Sequence, residues 1–419
     1  MDITLHQPTF HRQIVAPTSK SAVHRPMIAA AFADAPTRFT VTGAGEDIAA
    51  TARCLRAIGV GVCEDGSALT VTPAAVLIDN AVADCGESGS TLRFLVPVVA
   101  ALGLTTTFLR RGRLPDRPME PLKSELLRHG VTLTDNADGS LSVCGKLEAG
   151  TYSIAANVSS QFITGLLFAL SLLREPSVLA LTGEIESAPY IQMTRDTLAT
   201  FGAVPTVSED GRVFHIPGYG VQPFRTPHAI APEGDWSGAA FPLAAGALGR
   251  DGVTVTGLCT DSAQGDREIL SLLRAFGAQV VCDDAARSVT VYPAPLRGIC
   301  IDAKQIPDLV PVLAVIAAAA NGDTVITGAA RLRIKESDRI ATTAALLRAL
   351  GGSVEEREDG LLIHGTGHLN GGTVDGAGDH RIVMSAAVAA LIADGDVTIK
   401  GIEACKKSYP AFFENAIKI

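Results

Sequence analysis

Hydrophobic and polar positions along this 419-residue chain spell one phrase six times. Each copy has a polar opener, an apolar run of helical length, a short strand-like segment and a glycine. The copies close at Gly43, Gly112, Gly183, Gly257, Gly328 and Gly401. A second phrase follows five of these glycines: a Leu-rich helix ending at Gly59, Gly130, Gly202, Gly277 or Gly351, then a strand, a polar hairpin and another strand. The period is roughly 70 residues, and repetition at a fixed period says how a core is divided.

The fifth copy shows the unit in full. Cys300–Asp302 is a short strand, and Pro307 with Asp308 opens an apolar run, Leu309–Ala320. Asn321-Gly322-Asp323 reads as its stop, Thr324–Gly328 as a strand, and Ser337 or a neighbour as the cap of a second helix ending at Gly351,. Ser353–Arg357 and Leu361–His364 flank Glu358-Asp359-Gly360, a hairpin signal repeated at Asp65-Gly66, Asp138-Gly139 and Asp210-Gly211,. The unit is β-α-β-α-β-β, which predicts α/β layers with right-handed crossovers. First helices such as Met27–Ala33, Phe162–Leu173, Ala239–Leu248 and Met384–Ile392 are apolar nearly all round and belong inside, whereas the amphipathic second helices belong outside,.

Three units around a buried helix cluster make a domain, so six units predict two similar α/β domains. The sixth unit lacks its last strand after the final helix, Phe412–Ile417, while strand-like Asp2–Leu5 has no unit of its own. The N-terminal segment is therefore expected to complete the C-terminal domain. This divides the chain into residues 19–232 and a discontinuous domain of 1–18 plus 233–419. The crossings fall near Pro17 and the Pro227/Pro232 region, a two-strand hinge that permits closure over a ligand,.

Composition narrows the class. Hydrophobic residues make up 47% but aromatic residues only 5%, so Ala, Val, Leu and Ile fill the cores. A net charge of −9 disfavours nucleic-acid and anionic-membrane binding while leaving room for local anion sites,. The eight cysteines form no CxxC and have no His pair at zinc spacing, which points to buried free thiols rather than disulfides or a metal,. MDITLHQPTFHR has no signal-peptide core, and the runs at Phe162–Leu173 and Val312–Ala320 are too short to span a bilayer,. A soluble cytoplasmic protein is expected.

The starts of the six buried helices carry the candidate chemistry. They are Thr18-Ser19-Lys20-Ser21, Glu87-Ser88-Gly89-Ser90-Thr91, Val158-Ser159-Ser160-Gln161, Gly234-Asp235-Trp236-Ser237, Ile306-Pro307-Asp308 and Gly378-Asp379-His380-Arg381. Ser, Thr and Asp there are explained by capping alone, at ~1 kcal/mol each. The cations Lys20, Arg25, Arg93 and Arg381 are not, because a positive charge at a helix start opposes the dipole,. Free N–H groups together with such cations imply a bound anion. Basic segments at Arg110–Pro118, Arg331–Arg339 and Glu403–Tyr409 occupy one place in their repeats, just beyond a strand end, where α/β sheets put ligands,.

Taken in order, SKSAVHR, GESGSTLR, LPDRPM, SSQF, SAPY, EGDWS, IPD, RIKESDR, GDHR and KKSYP resemble the 5-enolpyruvylshikimate-3-phosphate synthase family over essentially the whole chain. The resemblance implies two domains of three βαβαββ units each with an active site in the interdomain cleft. It implies transfer of the enolpyruvyl group of phosphoenolpyruvate to the 5-hydroxyl of shikimate 3-phosphate, with release of phosphate. No metal or organic cofactor, no nucleic acid and no membrane is implied, and a cytoplasmic monomer is expected. Matching positions assign Lys20, Asp308, Glu336 and His380 to catalysis. Lys20, Ser21, Arg25, Ser159, Ser160, Gln161, Ser187, Tyr190, Asp308, Arg331 and Lys335 fall to shikimate 3-phosphate. Lys20, Gly89, Arg117, Gln161, Arg339, Arg381 and Lys407 fall to phosphoenolpyruvate. The family's inhibitor glyphosate competes with phosphoenolpyruvate and needs the space beside Gly89.

Both substrates are polyanions, and guanidinium groups suit them through bidentate bonds. The sister transferase acting on UDP-N-acetylglucosamine usually carries a reactive Cys in the loop matching Arg110–Pro118, and this loop has none. A non-catalytic phosphometabolite sensor on the same scaffold would not need Lys20, Asp308, Glu336 and Lys407 together. The sequence departs from the family at Thr18, usually Gly, at Glu87, often Asn, and at Arg331, usually Asn.

Overall fold

The computed structural model describes residues 1–220 and 224–418. The buried helices that open the repeats are α1 (Lys20–Ala31), α3 (Gly89–Ala101), α5 (Ser160–Leu172), α7 (Trp236–Leu248), α9 (Val310–Ala319) and α11 (His380–Ala389). Between them lie α2 (Glu46–Ala57), α4 (Leu122–Arg128), α6 (Ala188–Thr200), α8 (Ile269–Phe276), α10 (Arg339–Ala349) and, last, α12 (Phe412–Ala416). All of α9 but its last residue, Ala319, is buried, whereas α8 and α10 bury one face, as their polarity requires,.

Each repeat owns one small mixed sheet. In the fifth, Cys300–Asp302 runs parallel to Asn321–Thr327, which pairs antiparallel with Gly360–Thr366, and Ser353–Arg357 closes the outer hairpin. The buried helix makes the parallel crossover, and the outer helix leads into the hairpin. The glycines that close both phrases in all copies have positive φ, from +54° at Gly112 to +119° at Gly277, where an L side chain would be strained,.

One local expectation is corrected and another is narrowed. Asn321-Gly322-Asp323 is not a turn but the beginning of the strand, with Asn321 opposite Thr366 and Gly322 opposite Gly365. The helix stops at Ala319, and the ladder extends because Gly365 lies where a Cβ would overlap the Ala317 and Ala320 carbonyls. The cap of α10 is Asp338, whose carboxylate accepts from the Ala341 amide at 3.1 Å. Ser337 turns instead to Asp379.

Cα proximity divides the chain into two compact units. One is Met1–Ser19, Gly43–Gly45 and Glu233–Ile419; the other is Lys20–Thr42 and Glu46–Pro232. Each has its own hydrophobic core. In the discontinuous unit α7, α9 and α11 pack on one another. In the other unit α3 lies close against α5. Pro97 has no N–H for the Arg93 carbonyl one turn back, and that carbonyl faces Gly165, where a Cβ would overlap it,.

The chain ends are exchanged between repeats. Asp2–Leu5 pairs antiparallel with Val397–Lys400 and so supplies the strand that the sixth repeat lacks. Gln13–Val15 is the parallel edge strand of the fourth repeat, beside Val253–Thr256. The edge strand of the first repeat is Ala229–Ile230, beside Thr37–Thr40. Leu5, 2% exposed, belongs to the same core as Val397 and Ile399. Leu5→Ala is expected to cost about 2–4 kcal/mol of the discontinuous unit's stability. Urea unfolding followed by a probe in that unit checks this; an unchanged midpoint would show that the N-terminal strand adds nothing.

Candidate active site

In the discontinuous unit three helix starts meet around one guanidinium. Asp308 lies in a 3-10 turn, Pro307–Leu309, that leads into α9; Arg339 is the first residue of α10; and Asp379 caps α11 by accepting from the Arg381 amide. Arg339, 1% exposed, donates from Nη1 to Asp308 at 2.7 Å and from Nε to Asp379 at 2.7 Å. Its Nη2 lies 2.8 Å from Glu336. Arg381 donates to the other Asp308 oxygen at 3.0 Å. Lys335 stands 3.8 Å from Asp308, and Lys407 3.6 Å from Glu336. His380 is buried, with Nδ1 3.7 Å from Asp379.

Burial opposes the charge on Asp308, but Arg381, Lys335 and Arg339 outweigh it and hold the carboxyl well below its ordinary range. Asp379 is likewise held low against burial, chiefly by Arg339. Burial pushes the Lys335 ammonium down to about 8. The cluster is therefore an ionised carboxylate amid surplus cations, which suits an anion able to take some of those cations for itself.

The other unit gathers its polar groups at the starts of α1, α3, α5 and α6. Lys20 opens α1 and pairs with the buried Asp47 of α2 at 2.9 Å. Arg25 donates to Thr194 and to the Ser21 carbonyl, both at 2.9 Å, and lies over the Phe94 and Tyr190 rings. Burial brings its guanidinium down to about 10. Arg93 ties α3 to the Gln161 amide oxygen and the Pro118 carbonyl, both at 2.9 Å. Arg117 lies over Gly89, close enough that a Cβ there would meet its Nη1 at 2.7 Å. Ser159 caps α5 by accepting from the Gln161 amide, and Ser160 follows it, buried. Ser187 precedes α6 with φ +56°, a strained conformation for a non-glycine residue, and its carbonyl accepts from the Tyr190 amide,.

The assigned residues thus fall into two sets. Asp308, Arg331, Lys335, Glu336, Arg339, His380, Arg381 and Lys407 lie in the discontinuous unit, and the rest in the other. Much of each basic segment serves the scaffold. Arg110 holds the Gly139 and Ser140 carbonyls and Asp135; Arg111 pairs with Asp84; Arg333 holds a hairpin. Arg331 donates to the Lys304 carbonyl at 2.8 Å. Glu87 packs against the Gly112 backbone, and Thr18 bridges to Gly234. Asp47, Arg93, Thr194, Asp379 and Asp266 join the clusters without having been assigned to a substrate or a catalytic role. Asp379 stood in the GDHR segment but was masked by its capping role, and Asp47 by its place in the first turn of an ordinary amphipathic helix.

This arrangement of repeats and helix starts is that of the enolpyruvyl transferases. The solved EPSP synthase from Acinetobacter baumannii superposes with a TM-score of 0.80 at 26% identity, covering 100% of this chain and 98% of that one. The enolpyruvyl transferase NikO from Streptomyces tendae matches in fold at TM-score 0.80 and 22% identity, over 99% and 98% of the two chains. The profile of the EPSP synthase (3-phosphoshikimate 1-carboxyvinyltransferase) family matches residues 8–416. A 3-phosphoshikimate 1-carboxyvinyltransferase of Clostridium kluyveri is 39% identical over 421 residues, 99% of this chain and 96% of that relative. The chain belongs to the EPSP synthase family.

Arg339→Met would leave buried Asp379 and the partly buried Asp308 and Glu336 short of their shared cation, at an expected cost of about 3–5 kcal/mol,. Asp308 and Asp379 have folded pKa values below their ordinary 3.8. Their contribution is complete above that value and fades as pH falls through the folded pKa. The stability gap between parent and Arg339→Met, measured by urea unfolding, should narrow below about pH 4. A gap independent of pH would show that the ion cluster does not set it.

Proposed function

We propose that both units contribute groups to one reaction, with Asp308 as the base. The activity is that of the family, transfer of the enolpyruvyl group of phosphoenolpyruvate to shikimate 3-phosphate in the shikimate pathway. The observation that carries the residue assignment is Asp308 shared among Arg339, Arg381 and Lys335. While those cations hold it, the carboxylate is a poor base. Phosphoenolpyruvate brings a carboxylate and a phosphate that compete for Arg339 and Arg381. Their capture frees Asp308 to accept the 5-hydroxyl proton.

The hydroxyl oxygen then bonds to C2 of phosphoenolpyruvate while C3 takes a proton from Glu336, which has first taken one from solvent, and Lys407 stabilises the carboxylate left behind,. The product is a tetrahedral adduct. The new methyl group then returns a proton to the Glu336 carboxylate while phosphate leaves C2 carrying the proton held by Asp308, which restores the double bond and both side chains. His380 keeps Asp379 and Arg339 in place and adjusts proton traffic near them. Lys20, Gly89, Arg117, Gln161 and Lys407 complete the phosphoenolpyruvate subsite. Ser21, Arg25, Ser159, Ser160, Gln161, Ser187 and Tyr190, with Lys20, Asp308, Arg331 and Lys335, hold shikimate 3-phosphate. The chain works as a cytoplasmic monomer. Its acidic net charge supports independence from nucleic acid, and among the described residues no helix is long and apolar enough to cross a membrane.

Phosphate release on mixing both substrates tests the activity. Asp308→Asn should lower turnover by at least ~10²-fold while shikimate 3-phosphate still binds; near-parental turnover removes Asp308 from the mechanism.

Gly89→Ala should resist glyphosate and bind phosphoenolpyruvate less tightly. The added methyl would meet the ends of Arg117 and Arg93 at 2.7 and 3.0 Å, and these side chains must shift to admit it. Inhibition curves for parent and variant that coincide would place the inhibitor elsewhere.

A further inference from the structure

Two buried groups of opposite charge in the discontinuous unit have polar atoms without a hydrogen-bond partner among the described residues: Asp266 Oδ1 and Arg381 Nε. Asp266 sits in the 3-10 turn Gly265–Glu268 with 1% exposure. Its Oδ2 accepts from the Ser237 hydroxyl in the first turn of α7. The charges that face it are Asp308 from the turn before α9, Arg381 from α11 and Asp235 at the cap of α7. Arg381 has committed Nη2 to Asp308. A buried polar atom left open costs about 1–3 kcal/mol, and such atoms in a native protein call for an explanation.

Arg381 can donate, and Asp266 can donate only as the neutral acid. An anionic oxygen accepting from both would complete the pair. We propose that Asp266 takes up a proton when an anion binds at Arg381, and that its O–H then donates to that anion. The anion is the phosphate or carboxylate of phosphoenolpyruvate, so the inference rests on the proposed role of Arg381.

The electrostatics have the required sign. Burial raises Asp266 to about 6, the charge on Asp308 adds to this, and Arg381 and the Ser237 hydroxyl oppose it. The free carboxyl is therefore mostly ionised at neutral pH. An incoming anion adds negative charge and engages the cation that held the proton off. The proton comes from solvent and goes to Oδ1. Above about pH 6, kcat/KM for phosphoenolpyruvate should then fall by up to about tenfold per pH unit, until pH passes the pKa of the complex.

Infrared difference spectra on adding phosphoenolpyruvate to the full chain at neutral pH test this without turnover. The parent should gain the carbonyl stretch of a protonated carboxylic acid, and Asp266→Asn should not. The pH limb of kcat/KM should flatten in Asp266→Asn. In Ser237→Ala it should move to higher pH, because the hydroxyl no longer supports the ionised form. No acid band in the parent, or an unchanged band and limb in Asp266→Asn, overturns the proposal. If Asp266→Asn does not fold, Ser237→Ala decides: an unmoved limb and an unshifted band count against Asp266. Should the chain fail to turn over both substrates, the catalytic reading falls, while the band with phosphoenolpyruvate or inorganic phosphate still tests proton uptake.

Discussion

A guanidinium buried among three carboxylates fixes where three helix starts of the discontinuous unit converge. Arg339 reaches Asp308, Glu336 and Asp379 at once, so the starts of α9, α10 and α11 must converge to the ångström. Removing charge from water is expensive, and the cost is offset only when geometry and hydrogen bonds are complete. The same constraint makes the site responsive. Asp308 is kept ionised against burial by Arg381, Lys335 and Arg339, so its charge depends on partners that other carboxylates share.

The other unit solves a related problem differently. Arg25 and Arg93 are buried near helix starts, where the dipole is unfavourable, and are held by a hydroxyl, an amide oxygen, backbone carbonyls and aromatic faces,. Asp47 holds Lys20 at 2.9 Å. His24, pushed down to about 3 by burial and the neighbouring cations, adds no charge to that region.

The repeat explains how one architecture supports both arrangements. Each buried helix runs from a polar start into an apolar interior, and each closing glycine turns the chain where a side chain would be strained. Many of the cations and carboxylates of the two clusters stand at the helix starts and in the loops beyond the strands. The exchange of edge strands at residues 13–15 and 229–230, together with strand Asp2–Leu5, ties distant parts of the chain into single sheets.

Periodicity, glycine spacing and helix-start residues were enough to reveal six α/β units, their buried helices and an anion-binding chemistry, because these depend on local sequence and on which surfaces must avoid water. The ordered motifs also disclosed the family and most residues of the two clusters. Several features were not legible because they depend on separations of tens to hundreds of residues. The edge-strand exchange pairs residues 13–15 with 254–256; Asp47 matters because Lys20 lies beside it; Arg93 bridges two helices and a loop; and Asp266 acquires its character from Asp308 and Arg381. Even Asp379, in plain view as a helix cap, gains its second role only from Arg339. Local pattern determines which segments fold and which faces they bury, while burial and through-space charge, which decide what each ionisable group can do, exist only once the chain has packed.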